Sequence, residues 1–158
     1  MKTKIFAATA MAWAVATASP AIAQNVEARD PAGVEAALTA AGYPGKVETG
    51  SSGSPIIKVK TDSLSFLVSF TGCKENKNCT SVAFFTAFAS PIKPTLQAVN
   101  NWNSNKRFGR VYTDNEGDPV IQMDLDLDDG GMSRGLFIDN VEWFTVVAND
   151  VRKELVKK

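Results

Sequence analysis

NNWNSNKRFGRVYTDNEGDPVIQMDLDL, residues 100–127, sets the reading of the whole chain, because it holds the end of a helix, two strands and the densest grouping of aromatic and charged side chains. Leu96, Val99 and Trp102 recur at helical spacing, and the polar, Asn-rich residues 103–106 mark where that helix should end. Residues 110–113 alternate weakly. Residues 120–127 alternate clearly, with Ile121, Met123, Leu125 and Leu127 on one face and Gln122, Asp124, Asp126 and Asp128 on the other. The linking DNEGDP is turn chemistry: Gly117 supplies a permissive backbone and Asp114, Asn115 and Asp118 can bond nearby amides, so a hairpin is expected.

Downstream, Asp128-Asp129-Gly130-Gly131 breaks the last strand and Ser133 caps a long C-terminal helix. Phe137, Val141, Phe144, Ala148, Val151 and Leu155 fall at alternating steps of four and three, which is one face of an α-helix, and Leu136, Trp143 and Val147 widen that stripe. So wide an apolar face should be covered by the sheet or partly by a second subunit.

Upstream, residues 56–60, 64–70 and 80–88 read as three strands, the first two joined by a turn short enough to make them antiparallel. In the third, Val82, Phe84 and Phe88 share one face and Ala83, Phe85 and Ala87 the other, which suits a strand in the middle of a sheet or one facing a partner. Before them, Asp30 caps a helix with Pro31 at its first position and Val34, Ala37, Leu38 and Ala41 as its stripe, and Gly42 ends it. Residues 24–29 are expected to be a disordered lead-in, and residues 43–55 a loop with a short strand near 46–49. The order is α-β-β-β-α-β-β-α, an α+β chain with a mainly antiparallel sheet and helices packed largely on one face.

Residues 1–23 read as a secretory signal peptide: Lys2 and Lys4 form a basic start, residues 5–18 are uncharged and Ala-rich, and Ala21-Ile22-Ala23 is an A-x-A cleavage site. Ser19-Pro20 and the weakly apolar composition argue against a spanning anchor. Cleavage would leave residues 24–158 as a single periplasmic or secreted domain with no membrane segment. Taking Lys2 and Lys4 from 17 basic residues, against 17 acidic, gives a formal net charge of −2, with the signs interspersed and no nucleic-acid footprint. The chain holds 0 histidines, which removes the usual general base, the usual zinc ligand and every Ser-His or Cys-His nucleophile pair. No catalytic residue, cofactor or metal is indicated.

Cys73 and Cys79 flank the loop between the second and third strands, and in an exported chain with 2 cysteines the default is one structural disulfide. A redox pair is the rival reading, although the spacing is not C-x-x-C. Asp124, Asp126, Asp128 and Asp129 imitate the start of a calcium loop, but Asp129 stands where glycine is needed and Gly135 where glutamate is needed. Trp102, Asn103, Arg107, Phe108, Arg110 and Tyr112 form the candidate binding surface, since aromatics and guanidinium groups are the common currency of interfaces. The plainer alternative is that Trp102 continues the helix stripe and the arginines pair with Asp114, Glu116 or Asp118 across the hairpin.

The run from Trp102 and Asn103 through Arg107, Phe108, Gly109, Arg110, Tyr112 and Asp114 to Asp118 and Pro119 resembles the YbjN family of bacterial proteins, and the similarity extends to the Cys73 and Cys79 loop and to the helix after Gly130-Gly131. Members are labelled sensory transduction regulators. The resemblance implies a fold similar to that of type III secretion chaperones, with no agreed catalytic residues to carry over; the leader sets this chain apart from cytoplasmic relatives. The expectation is a non-enzymatic binding or chaperone-like module that recognises a protein or peptide, with a homodimer as one state. The alternatives are a periplasmic enzyme using carboxylates such as Asp124 and Asp126 or the thiols Cys73 and Cys79, and a small-ligand carrier.

Overall fold

A computed structural model describes residues 25–156. The signal-peptide reading of residues 1–23 lies outside the described residues. Among those described, the chain runs α1 (Pro31–Ala40), β1 (Val47–Thr49), β2 (Pro55–Lys60), β3 (Ser65–Thr71), β4 (Ser81–Ala87), α2 (Leu96–Asn105), β5 (Arg110–Thr113), β6 (Pro119–Asp126) and α3 (Arg134–Glu154). The expected order is met, with the short strand near residues 46–49 present as β1.

All strand pairs are antiparallel, in the order β1-β2-β3-β4-β6-β5. Four consecutive strands form a meander, and β6 then passes inside β5 to lie against β4. The apolar-on-both-faces strand β4 is therefore flanked on both sides, as its composition requires. Register places Ile57, Val68, Phe84 and Met123 in one row, with Phe70, Val82 and Leu125 in the next, all buried on the helix side. The opposite face carries Lys58, Leu67, Phe85, Gln122 and Arg110 in one row and, among the described residues, is not covered by a helix.

α3 lies across β4 and β6, and α1 packs on α3 and β1. The expected stripe of α3 is the buried one: Phe137, Val141, Phe144, Ala148 and Val151 are all 0% exposed. Its rings meet the sheet directly, with Phe84 centred 5.9 Å from Phe137 and 5.7 Å from Phe144, and Phe66 5.3 Å from Phe144. Not all of the wider stripe follows. Val147 is buried, but Leu136 and Trp143 are exposed, because each precedes a buried Phe by one residue and so points about 100° away from the core line.

The helix starts agree with their caps: Asp30 Oδ1 accepts from the Gly33 amide at 3.0 Å and Ser133 Oγ from the Leu136 amide at 3.3 Å. Thr95 caps α2 by accepting from the Ala98 amide at 3.1 Å, so that the helix starts at Leu96. The lead-in is ordered where it was expected to be loose. Val26 exchanges backbone hydrogen bonds with Met132, and Val26 and Ala28 are buried, so burying apolar side chains outweighs the polar composition of the segment.

The β5–β6 hairpin turns as the DNEGDP run dictates: Asp114 Oδ1 accepts from the amides of Glu116 and Asp118, each at 2.9 Å, and Gly117 adopts φ +80°. The arginines do not pair with the hairpin carboxylates. Asp118 is buried and instead accepts from Lys93 Nζ at 2.6 Å and the Ser90 amide at 2.8 Å. The Lys93 hydrogen bond, and then the Ser90 amide, hold its carboxyl below the ordinary aspartate value of 3.8. A lowered folded-state value contributes stability above the unfolded value and loses it as pH falls towards the folded one. The melting temperature should therefore hold above about pH 5 and drop below about pH 4, and Asp118→Asn should remove part of that drop. Thermal unfolding across that range checks it, and an identical pH slope in the variant would rule out this pair as a source.

Candidate functional site

The six residues of the expected surface go to four places. Trp102 is buried at 3% exposure, facing inwards from α2 with Val99. Asn103, an exposed residue, docks on the outer edge of β5: its side-chain amide donates to the Val111 carbonyl at 3.0 Å and accepts from the Val111 amide at 2.8 Å. One side chain thus satisfies both outward backbone groups of Val111 as a neighbouring strand would, and closes that edge. Tyr112 lies on the uncovered sheet face, its hydroxyl 3.3 Å from Gln122 Oε1, and Arg110 approaches Asp124 at 3.7 Å.

Arg107 and Phe108 stand on the helix side. Phe108 at φ +60° and Gly109 at φ +148° swing the chain away from β6 towards α3. Glycine is required at 109, since a Cβ there would sit 3.0 Å from Ile121 Cδ1 and 3.2 Å from the Gln122 carbonyl oxygen. The turn lays the Phe108 ring on Trp143, centroids 4.8 Å apart and planes 28° from parallel, with the Arg107 guanidinium 4.7 Å from the Phe108 centroid. Lys106 fastens this end of α2 to the C-terminal half of α3 through Glu154 at 2.6 Å and Asp150 at 3.5 Å, and the Glu154 hydrogen bond raises its ammonium above the ordinary lysine value.

Trp143 belongs to an exposed line on α3. Leu136, Trp143 and Val146 follow at steps of seven and three and are 52%, 42% and 49% exposed, beside Phe108 at 38%. These α3 residues were not among the expected surface. Their signal in the sequence was a second apolar line, running one residue ahead of the core line and hidden by it. Between this line and β6 lies an open groove of about 440 Å³ bordered by Phe108, Gly109, Met123, Asp124, Leu125 and Asn140.

Cys73 and Cys79 are joined by a disulfide across the β3–β4 turn, and Cys79 is 3% exposed. Closing a loop of this size restricts the unfolded chain, so replacing both by serine should lower stability by about 2 kcal/mol, read from urea unfolding under non-reducing conditions. Asp124 and Asp126 are exposed on the uncovered sheet face, and among the described residues no three Asp, Glu, Cys or His side chains gather as a metal ion would require. Nor is any helix among them long and apolar enough to cross a membrane.

No curated protein and no solved structure matches the chain. A family model does, that of YbjN, described as a putative bacterial sensory transduction regulator, over residues 30–156. That span runs from the cap of α1 to the end of the described residues and includes the disulfide turn, the Phe108 stack and all of α3, and on it the chain belongs to the YbjN family.

Proposed function

We propose that the protein is an exported, non-enzymatic regulatory module that binds a protein or peptide along the α3 face beside the end of β5. The observation that carries this reading is the exposed line of Leu136, Trp143 and Val146 with Phe108 stacked on it. Three large apolar side chains along one exposed line of α3, with Phe108 stacked on the middle one and arginine beside it, have the composition of a contact surface rather than of scattered exposed residues. The family's description as a regulator agrees with a binding role, and the disulfide agrees with an oxidising compartment outside the cytoplasm.

The test compares the chain lacking residues 1–23 with its Leu136→Ser/Trp143→Ser/Val146→Ser variant, by light scattering after size-exclusion chromatography, with and without periplasmic extract. These positions are exposed, so folding should be nearly unchanged. Retention of a defined protein or peptide by the wild type and its loss in the variant is the expected result. Equal retention by both, or none by either, would sink the assignment of this face.

A further inference from the structure

β6 is longer than the strand beside it. β5 pairs with residues 119–122, ending at Arg110 opposite Gln122, whereas β4 pairs with β6 as far as Asp126. On the β4 side the Phe88 amide donates to the Pro119 carbonyl and the Leu127 amide to the Thr80 carbonyl. Backbone groups alternate sides along a strand, so the N–H and C=O of Asp124 and Asp126 point the other way, past the end of β5. The turn at Phe108 and Gly109 has taken the chain off this edge, and the groove opens alongside it. The outer edge of β5, by contrast, is closed by Asn103.

We propose that residues 123–126 of β6 take up an extended segment of a partner protein as an added strand, in line with β5, and that this segment alternates apolar with Lys or Arg residues. The inference rests on the binding role proposed above and specifies its occupant. Unpaired backbone groups of a strand select an extended backbone. Alternation then separates the side chains. Those on the helix side would lie over Phe108, Met123 and Leu125, the apolar part of the groove's lining. Those on the other side would lie beside Asp124 and Asp126, where Arg110 approaches Asp124 at 3.7 Å. Asp139 and Glu142 add negative charge along the exposed line of α3. A second copy of this chain fits poorly: a two-fold pairing of this edge that makes its backbone bonds sets aspartate opposite aspartate, whether 124 meets 124 or 124 meets 126.

Three capped hexapeptides test this against the chain lacking residues 1–23: alternating Lys-Val, alternating Glu-Val, and Lys-Val with the amides on one edge N-methylated. The readouts are backbone amide resonances with their hydrogen exchange, and affinity. The Lys-Val peptide should slow exchange at the amides of Asp124 and Asp126 and bind about tenfold more tightly than the Glu-Val peptide, from two exposed charge contacts of modest strength. Asp124→Asn/Asp126→Asn should abolish that preference, and N-methylation of the edge facing β6 should abolish the protection. Shifts confined to Trp143 and Val146, without protection at Asp124 and Asp126, would overturn strand addition while leaving the α3 face as a binding surface. Absence of any response would overturn the inference, while the extract experiment separately decides the face. Protection that grows with protein concentration alone, with a dimer mass, would replace the partner by a second copy.

Discussion

Phe84→Ala should lower the free energy of unfolding by about 3–5 kcal/mol, the range for emptying a large aromatic site in a packed core. Phe84 is 0% exposed and its ring contacts Phe66 from β3 and Phe137 and Phe144 from α3. Its strand is bonded on both sides, to β3 and β6, so the backbone cannot shift to fill the space. The surrounding phenyl groups would each have to leave a packed position to do so, and the cavity term should persist. Phe85, the next residue, faces the uncovered side and is half-buried, and Phe85→Ala should cost less than half as much. Urea unfolding of the two variants makes the comparison; equal losses would mean that the uncovered face is itself covered in solution.

Trp102→Ala should cost a similar amount, about 3–5 kcal/mol, but Trp102→Phe should cost much less, about 1 kcal/mol or under. The indole is 3% exposed, and its Nε1–H is buried without a hydrogen-bond partner. An unpaired buried donor carries a desolvation cost of about 1–3 kcal/mol, which phenylalanine does not incur and which offsets part of the ring volume it lacks. Alanine gains the same relief but leaves a cavity between α2 and the sheet. If the phenylalanine variant is as unstable as the alanine one, the indole N–H is bonded in solution and this account of its burial is wrong.

Those two side chains illustrate what could be read in advance. Phe84 was legible because β4 is apolar on both faces, a pattern that suits an interior strand or one facing a partner, and the structure places it between β3 and β6. The four-three steps of α3 were legible for the same reason: periodicity reports which side of an element is buried. Periodicity does not report which elements become neighbours. That β6 rather than β5 lies against β4 depends on long-range packing, and with it the overhang of residues 123–126.

The candidate surface was partly misassembled on the same grounds. Trp102 to Tyr112 is contiguous in sequence, yet a helix end, a positive-φ turn and a strand distribute it among the core, the α3 side and the uncovered face. Asn103 could not have been recognised as an edge closure, because its two bonds are to a backbone that only tertiary structure brings beside it. Leu136 and Trp143 were mistaken for core because one residue of rotation separates a buried line from an exposed one. Burial of Val26 and Ala28 was missed for want of any pattern in so short a segment.

The placement of α3 has a consequence for the order of events during synthesis. The ribosome releases the meander of β1 to β4 first, and its neighbouring strands need only short loops to meet. The layer that shields Phe66 and Phe84, however, is supplied by residues 134–154, which follow all the strands in the chain. Until those residues emerge, the growing chain has a sheet with nothing to close it. The strands therefore wait on a helix made after all of them for the side of the core that it supplies.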